Sequence, residues 1–587
     1  MLMMKRRFQR LILFAALALS LIAGGCRQQA PQKQELPSER TTGTRGGSIT
    51  YRLTTPAQSF NYLMAKEETG LVVAFFLIGG RLVDFDQDQQ RHVPGLAESW
   101  KRADDGRTIE VTLRDGLKFS DGHALTADDV LFTMRALYDE RTQSPLFRDA
   151  MLINDRPIET TVVDARHLKM TFPETVAAPE GYLFNVVVLP RHALEEDFNK
   201  GTLKDAWNIA SDPQRIVTAG AFAVESATPG ESVKLKRNPN YWKKDSAGNQ
   251  LPYLDSILIE FIADANNAIT RLQQNAIDII DRIPPSDYAA MRTPQGNVRV
   301  RDLGPGLSTD HLWFNLNEGT QNGKPIVDPV KRAWFADVRF RRAVSHAIDR
   351  NTIFKSNLQG LATPLYGFVS PGNKTWAAAD IPPTEYDLEK ARALLTEAGF
   401  TTRGAADAPE LYDAKGNRVE FTLIVPAETK PRQQMAAVIQ EDLAKLGIRM
   451  QIAPIDTQAL TARWMQSYDY DAVLLGLSLT DTDPSSYANM LLSNSSSHQW
   501  YPKQPQPATP WEARIDELMA QQAHETDLER RKASFREIQM IMAEQLPVIP
   551  IVARHITTAA NNRVGNHRPG PILPYSLWNA EELFVKQ

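Results

Sequence analysis

The residue types that usually carry enzyme chemistry are present in this chain but are not spaced for it. It has one cysteine, Cys26, and ten histidines in 587 residues. No histidine falls in HExxH or a comparable zinc spacing, and no GxSxG elbow or SxxK pair supplies an activated serine. His346 sits one residue before the apolar Ala347 of a helical pattern, which does not recommend it as a metal ligand. The side chains offer recognition instead. Residues 493–511, SNSSSHQWYPKQPQPATPW, set His498, Trp500, Tyr501 and Trp511 among serine, asparagine and proline. Such a loop can stack and hydrogen-bond at the mouth of a binding cleft. The same rings can equally fold back onto their domain and leave an exposed connector. Phe60 and Asn61, in a loop after the first strand pattern, carry the same choice between ligand platform and wall packing.

The elements that must position these groups begin after an unusual amino terminus. Lys5, Arg6, Arg7 and Arg10 precede an apolar run at 11–22, too short for a comfortable membrane span. Ala23, Gly24 and Gly25 then lead to Cys26. The run resembles a bacterial lipoprotein signal, in which residues 1–25 are removed and Cys26 is lipidated, with Ala23 where leucine is more usual. An ordinary secretory signal is the alternative. A lone thiol in an oxidising compartment is a liability that lipidation removes, and acyl chains anchor a protein without spanning the membrane. Processing would move the formal charge from −4 to −8, since four basic residues and no acid are lost. No basic tract remains, so the pattern argues against nucleic-acid binding. Residues 26–45 are polar and proline-containing, the composition of a flexible tether. The rest is ordinary for a globular body, with 42% hydrophobic and 23% charged residues, and its length suggests about three to four domains.

Residues 94–137 show how that body is built. Asp104, Asp105 and Gly106 read as a turn, and Ile109, Val111 and Leu113 alternate with polar residues as in a half-buried strand. Asp115-Gly116 and Asp121-Gly122 mark two further turns. Thr126 three residues before Asp129 is a capping-box-like start for a helix that places Val130, Met134 and Leu137 on one face. The phrases PGLAESW (94–100), DDGRTIEVTLRDGLKFSDG (104–122) and LTADDVLF (125–132) resemble the signature of family 5 of the bacterial extracellular solute-binding proteins. These are the peptide- and nickel-binding receptors of ABC importers (structural cluster C). IVTAGAF (216–222), VKLKRNPNYW (233–242) and a helix–strand unit at 266–280 follow in the family's order. DVRFRRAVSHAIDR (337–350) is a second strong match. It reads as a helix that buries Phe340, Ala343, Val344 and Ala347 and turns several arginines outward.

Further along, 160–171 alternates as a strand. Asp387 reads as the N-cap and Gly399 as the stop of a helix, 433–446 and 528–543 read as helices, and PVIPIV (547–552) as a returning strand. The resemblance implies an α/β, bilobal periplasmic-binding-protein-like fold (type II, cluster C) with mixed sheets and an extra inserted subdomain. Lobe I would be 46–85, 196–312 and 553–587, the insert 86–195, and lobe II 313–552, with hinge strands near Trp313 and Ile549. Hinge closure would trap a solute between the lobes.

With His498 and Trp500 of the 493–511 loop, the resemblance leads to an expected ligand site at Phe60, Asn61, Trp313, Asn315, Leu477, Thr480, Asp481, His498 and Trp500, with no catalytic residue, metal or cofactor. Peptide-binding members place an aspartate four residues before a proline, to pair with the peptide's amino group, and a tryptophan three residues before that aspartate. Counted back from Pro484, Thr480 and Leu477 hold those two positions, and Asp481 lies one residue later. The implied function is capture of an oligopeptide-like solute and its delivery to an ABC permease and ATPase complex. The protein would be a monomer, periplasmic or extracytoplasmic, lipid-anchored to the membrane through Cys26. The alternatives are a ligand-sensing lipoprotein outside transport, and a receptor for a sugar or metal chelate; a surface hydrolase has no motif in its favour.

Overall fold

The computed structural model describes residues 41–144, 146–292, 296–479 and 481–586. The expectations for residues 1–40, Cys26 among them, and for Thr480 lie outside these.

A mixed sheet of eleven strands runs through the body. Its order is Arg449–Ile455, Glu420–Pro426, Ala472–Leu477, Val298–Phe314, Val548–Asn561, Ile279–Asp281, Ser48–Leu53, Ser256–Phe261, Ser232–Arg237 and Phe222–Thr228, with Ala362–Pro364 beside Val548–Asn561. Two strands are much longer than the others. Val298–Phe314 spans 17 residues and Val548–Asn561 spans 14. They pair antiparallel with each other, and each serves both halves of the molecule. At one end residues 558–560 pair with Ile279–Asp281; at the other, residues 309–314 pair with Ala472–Leu477.

Their ladder is broken in one stretch, between Asp302 and Pro305, Pro305 and Thr309, and Asp310 and His311. Proline lacks the N–H a ladder needs, Gly304 sits at φ +79°, and bulged strands bend and twist locally. Trp313 and Ile549, the residues expected beside a hinge, lie in these two strands a few positions from the break, Trp313 opposite Val548 and Leu312 opposite Ile549. The broken stretch is also where Asp310 is held. Its buried carboxylate accepts from Arg432 Nε (2.7 Å) and Arg554 Nε (2.5 Å).

The inserted segment forms its own four-stranded sheet from Ala97–Arg102, Thr108–Leu113, His167–Thr171 and Glu159–Val162. The last two are a hairpin where the alternation at 160–171 suggested one strand. The carboxylate of Asp164 accepts the backbone N–H groups of Arg166 and His167 and turns the chain. Helix Ala127–Tyr138 starts as its sequence indicates, with Asp129 Oδ2 closing back on the Thr126 N–H at 2.9 Å. The insert has its own sheet but no separate core. Ile109, Val111, Leu168 and Met170 belong to the same buried cluster as Ile49, Tyr51 and Ile257 of the large sheet.

In the other half the sheet is packed on both faces, and adjacent residues of one strand serve opposite faces. Phe314 stacks on Phe335 at 4.6 Å within one cluster, while Trp313 meets Trp464 edge-on at 5.3 Å in the other. Helix Val338–Ala347 buries Phe340, Ala343, Val344 and Ala347, but its arginines are not all outward. Arg341 is buried, donating to the carbonyls of Phe335 (2.6 Å) and Gln545 (2.7 Å). Arg350 is buried as well and spans the Pro550 and Ser345 carbonyls, each at 2.9 Å. Burial lowers both guanidiniums to about 10, leaving them charged at neutral pH. A guanidinium reaches carbonyls across a strand that apolar periodicity does not register. Among the described residues no helix is long and apolar enough to cross a membrane.

Candidate functional site

Three parts of the chain converge on a cavity of about 30 Å³. Phe76, Phe85, His92 and Phe184 come from the first half, Asp481 from the second, and Ile572, Leu573, Pro574 and Trp578 from the carboxy-terminal segment. Phe184 is the centre of the aromatic wall, with ring centroids 5.6 Å from His92, 6.3 Å from Phe76 and 6.5 Å from Phe85. The hairpin Val83–Asp86 with Arg91–Pro94 sets Phe85 directly opposite His92. Arg81 also lines the space, but its guanidinium is committed to Asp84 (2.6 Å) and the Phe75 carbonyl (2.6 Å).

Asp481 is presented by a braced loop. Asp483 caps the next turn through the Ser485 N–H (3.0 Å) and is gripped by Arg531 Nη2 at 2.9 Å. Asn373 Nδ2 donates to the Thr482 carbonyl at 2.7 Å. Asp481 Oδ1 accepts the N–H groups of Thr482 (2.5 Å) and Asp483 (3.2 Å). Burial pushes the Asp481 carboxyl above the ordinary carboxylate value, with His92 opposing and Asp483 adding to the shift. Among the described residues no lysine or arginine forms an ion pair with it. A carboxylate with no lysine or arginine partner, facing aromatic rings, is complementary to a ligand bearing an ammonium on an apolar body.

The cavity holds room for about two water molecules, so a larger solute requires the halves to part. Hydrogen bonds between the insert and the second half now close them. Gln90 Nε2 donates to the Gly372 carbonyl (2.8 Å) and its Oε1 accepts the Lys374 N–H (3.0 Å). The Ala177 N–H donates to the Ala523 carbonyl (2.7 Å), and His524 Nδ1 to that of Thr175 (2.6 Å).

Of the nine residues expected at a ligand site, Asp481 lines this cavity. Leu477 is half-buried opposite Thr309, at the edge of the broken ladder. The structure packs six others into the interior. Phe60 is buried. Asn61 caps a turn through the Leu63 N–H and donates to the Leu203 carbonyl. Trp313 is enclosed by the second-half core. Asn315 donates to the carbonyls of Tyr468 and Tyr470. His498 donates from Nδ1 to the Met490 carbonyl, and burial lowers its imidazole to about 4, so it is neutral. Trp500 donates to the buried Glu512 at 2.9 Å. Of the two readings of the 493–511 loop, its inner rings follow the packed one. Phe85, His92, Phe184 and Trp578 were not singled out from sequence, and no local pattern marks them, because only tertiary folding brings them beside residue 481.

Two halves sharing one sheet through a pair of long strands, with a cavity where they meet, define a bilobal binding protein of the periplasmic type. Residues 91–499 match the family described as Bacterial extracellular solute-binding proteins, family 5 Middle, and the chain belongs to that family, which is one of solute-binding proteins and not of enzymes. It is 29% identical over 530 residues to a probable ABC transporter-binding protein of Deinococcus radiodurans, covering 86% of this chain and 87% of that one. It is 25% identical over 558 residues to the oligopeptide-binding protein AppA of Bacillus subtilis, 93% of each. Among solved structures, the substrate-binding protein CtaP of Listeria monocytogenes matches with a TM-score of 0.74 at 23% identity, over 93% of this chain and 100% of that one. AppA of Bacillus subtilis in complex with a nonapeptide matches with a TM-score of 0.68 at 25% identity, over 93% and 100%.

Proposed function

We propose that this protein is the substrate-binding component of an ABC importer and captures a peptide-like solute by its amino terminus on Asp481. The observation that carries the reading is the position of that carboxylate. It is raised by burial, unpaired with any described lysine or arginine, and set in an aromatic wall where the two halves meet. The oligopeptide-binding relative supports the ligand class. In this reading the broken ladder at 302–311 is the hinge, and the Gln90 contacts belong to the closed state that a ligand stabilises. The solute leaves chemically unchanged for a permease and ATPase. The body is a monomer on the outer side of a membrane, held there by lipid on Cys26.

Native mass spectrometry of protein purified from its own host tests the reading. A bound mass matching a peptide with a free amino terminus is expected. A sugar or a metal chelate would overturn the ligand class, and release of a chemically altered solute would overturn the binding role. Loss of the acyl mass in Cys26→Ser is the expected result for the anchor.

A further inference from the structure

Away from the Asp481 cavity, and sharing no residue with it, the insert carries a cluster that the interlobe reading leaves unused. Asp121 and His123 flank Gly122 in a tight turn, and His192 belongs to helix Arg191–Lys200. His123 Nδ1 and His192 Nε2 lie 2.9 and 2.8 Å from the same oxygen, Asp121 Oδ2. The two imidazoles stack with centroids 4.0 Å apart and planes at 21°. Among the described residues this is the one group of three whose ligand atoms all lie within 4.8 Å of one another. From the geometry we infer a site for a divalent transition-metal ion of the zinc, copper or nickel type, held by Asp121, His123 and His192.

Two imidazole nitrogens and a carboxylate oxygen are a donor set such ions favour. Metal–ligand bonds of roughly 2.0–2.1 Å set neighbouring donors about 3.0–3.4 Å apart. The two separations from Oδ2 need to open by only a few tenths of an ångström to reach that range. The cluster is solvent-facing, with side-chain exposures of 64% for His123, 29% for Asp121 and 30% for His192, so water can fill the remaining coordination positions. The carriers are anchored from below. The Ser120 N–H donates to the Thr218 carbonyl (2.8 Å), the Thr218 N–H to Ser120 Oγ (3.1 Å), and Asn240 Nδ2 to the Ser120 carbonyl (3.2 Å). Gly122 at φ +94° allows the turn to bring its two flanking side chains onto one side. On the other carrier, the Arg191 N–H is fixed to Asp129 Oδ1 at 3.0 Å, and the buried Phe119 ring lies 5.6 Å from His192. A bound ion would clip the 119–123 turn to the helix.

The test uses the full chain without a histidine tag, titrated with zinc chloride by calorimetry, and with cobalt chloride to read the visible band of a nitrogen-coordinated ion. One ion per chain is expected. Loss even of an outer-shell partner costs a metal site about 10- to 100-fold, so His123→Ala and His192→Ala should each weaken zinc binding by at least that factor. Their combination should abolish the band. The melting temperature of the metal-free variants should match the parent, because all three residues are at the surface. Absence of zinc binding by the parent, or a double variant that still binds one ion with the parent's affinity, would overturn the inference.

Discussion

Asp481→Asn removes a charge while keeping the side chain's shape and one oxygen for the Thr482 N–H. If Asp481 holds a ligand's ammonium, that substitution breaks a charge-assisted pair in a closed cleft. Truncating one partner of such a pair costs about 2–5 kcal/mol. Asp481 is only half-buried in the protein and has His92 nearby, so the lower part of that range applies. About 2–3 kcal/mol corresponds to roughly 30- to 150-fold in affinity. The assay is calorimetry with one oligopeptide in two forms, free and N-acetylated at the amino terminus. The parent should prefer the free form by that factor, and the variant should bind both forms alike. The native state carries the Asp481 charge at a cost, since burial raises its pKa. Removing the charge should therefore leave the melting temperature of the ligand-free variant unchanged or higher. Binding of the free peptide by the parent should weaken as pH falls through that raised pKa, at a higher pH than an ordinary carboxylate would give. A variant that still discriminates free from acetylated peptide would refute the role of Asp481.

Three further outcomes follow from the architecture. Asp310→Asn should destabilise the protein by about 3–5 kcal/mol in denaturant unfolding, because it leaves Arg432 and Arg554 without their buried partner. Burial works to raise the Asp310 pKa, and the two arginines overcome it and hold it low. Its contribution should be full above the unfolded pKa of about 3.9 and be lost as pH falls through the folded value. Gln90→Ala strands the Gly372 carbonyl and Lys374 N–H in the closed form, at about 1–3 kcal/mol; it should raise the ligand-free radius of gyration in small-angle scattering and weaken ligand binding, with little change in unfolding midpoint. Arg350→Lys should unfold at lower denaturant by about 2–4 kcal/mol, because an ammonium cannot span the Pro550 and Ser345 carbonyls as the planar guanidinium does.

Much of the fold is written locally. The alternation at 108–113, the Thr126–Asp129 helix start, the Asp387 cap and the Gly399 stop each depend on residues a few positions apart, and each sits in the structure where its spacing puts it. Short-range periodicity and capping chemistry act before tertiary contacts form, so they can be read without them. Family phrases extend that legibility to the bilobal plan, because they stand for whole packed units. The sequence by itself also pointed to the loop at 476–484 as the place to look for a ligand, though it offered Asp481 only as a displaced candidate. What only the tertiary structure decided is which side chains face one another across long separations. Trp500 and His498 look like mouth residues in isolation, but Glu512 and the Met490 carbonyl draw them into the core. Phe85, His92, Phe184 and Trp578 look ordinary until folding sets them around Asp481. Asp121 and His192 are 71 positions apart and meet only because a turn and a helix pack on the same subdomain. Burial and convergence of charge are properties of three-dimensional neighbours, and no local pattern along the chain encodes them.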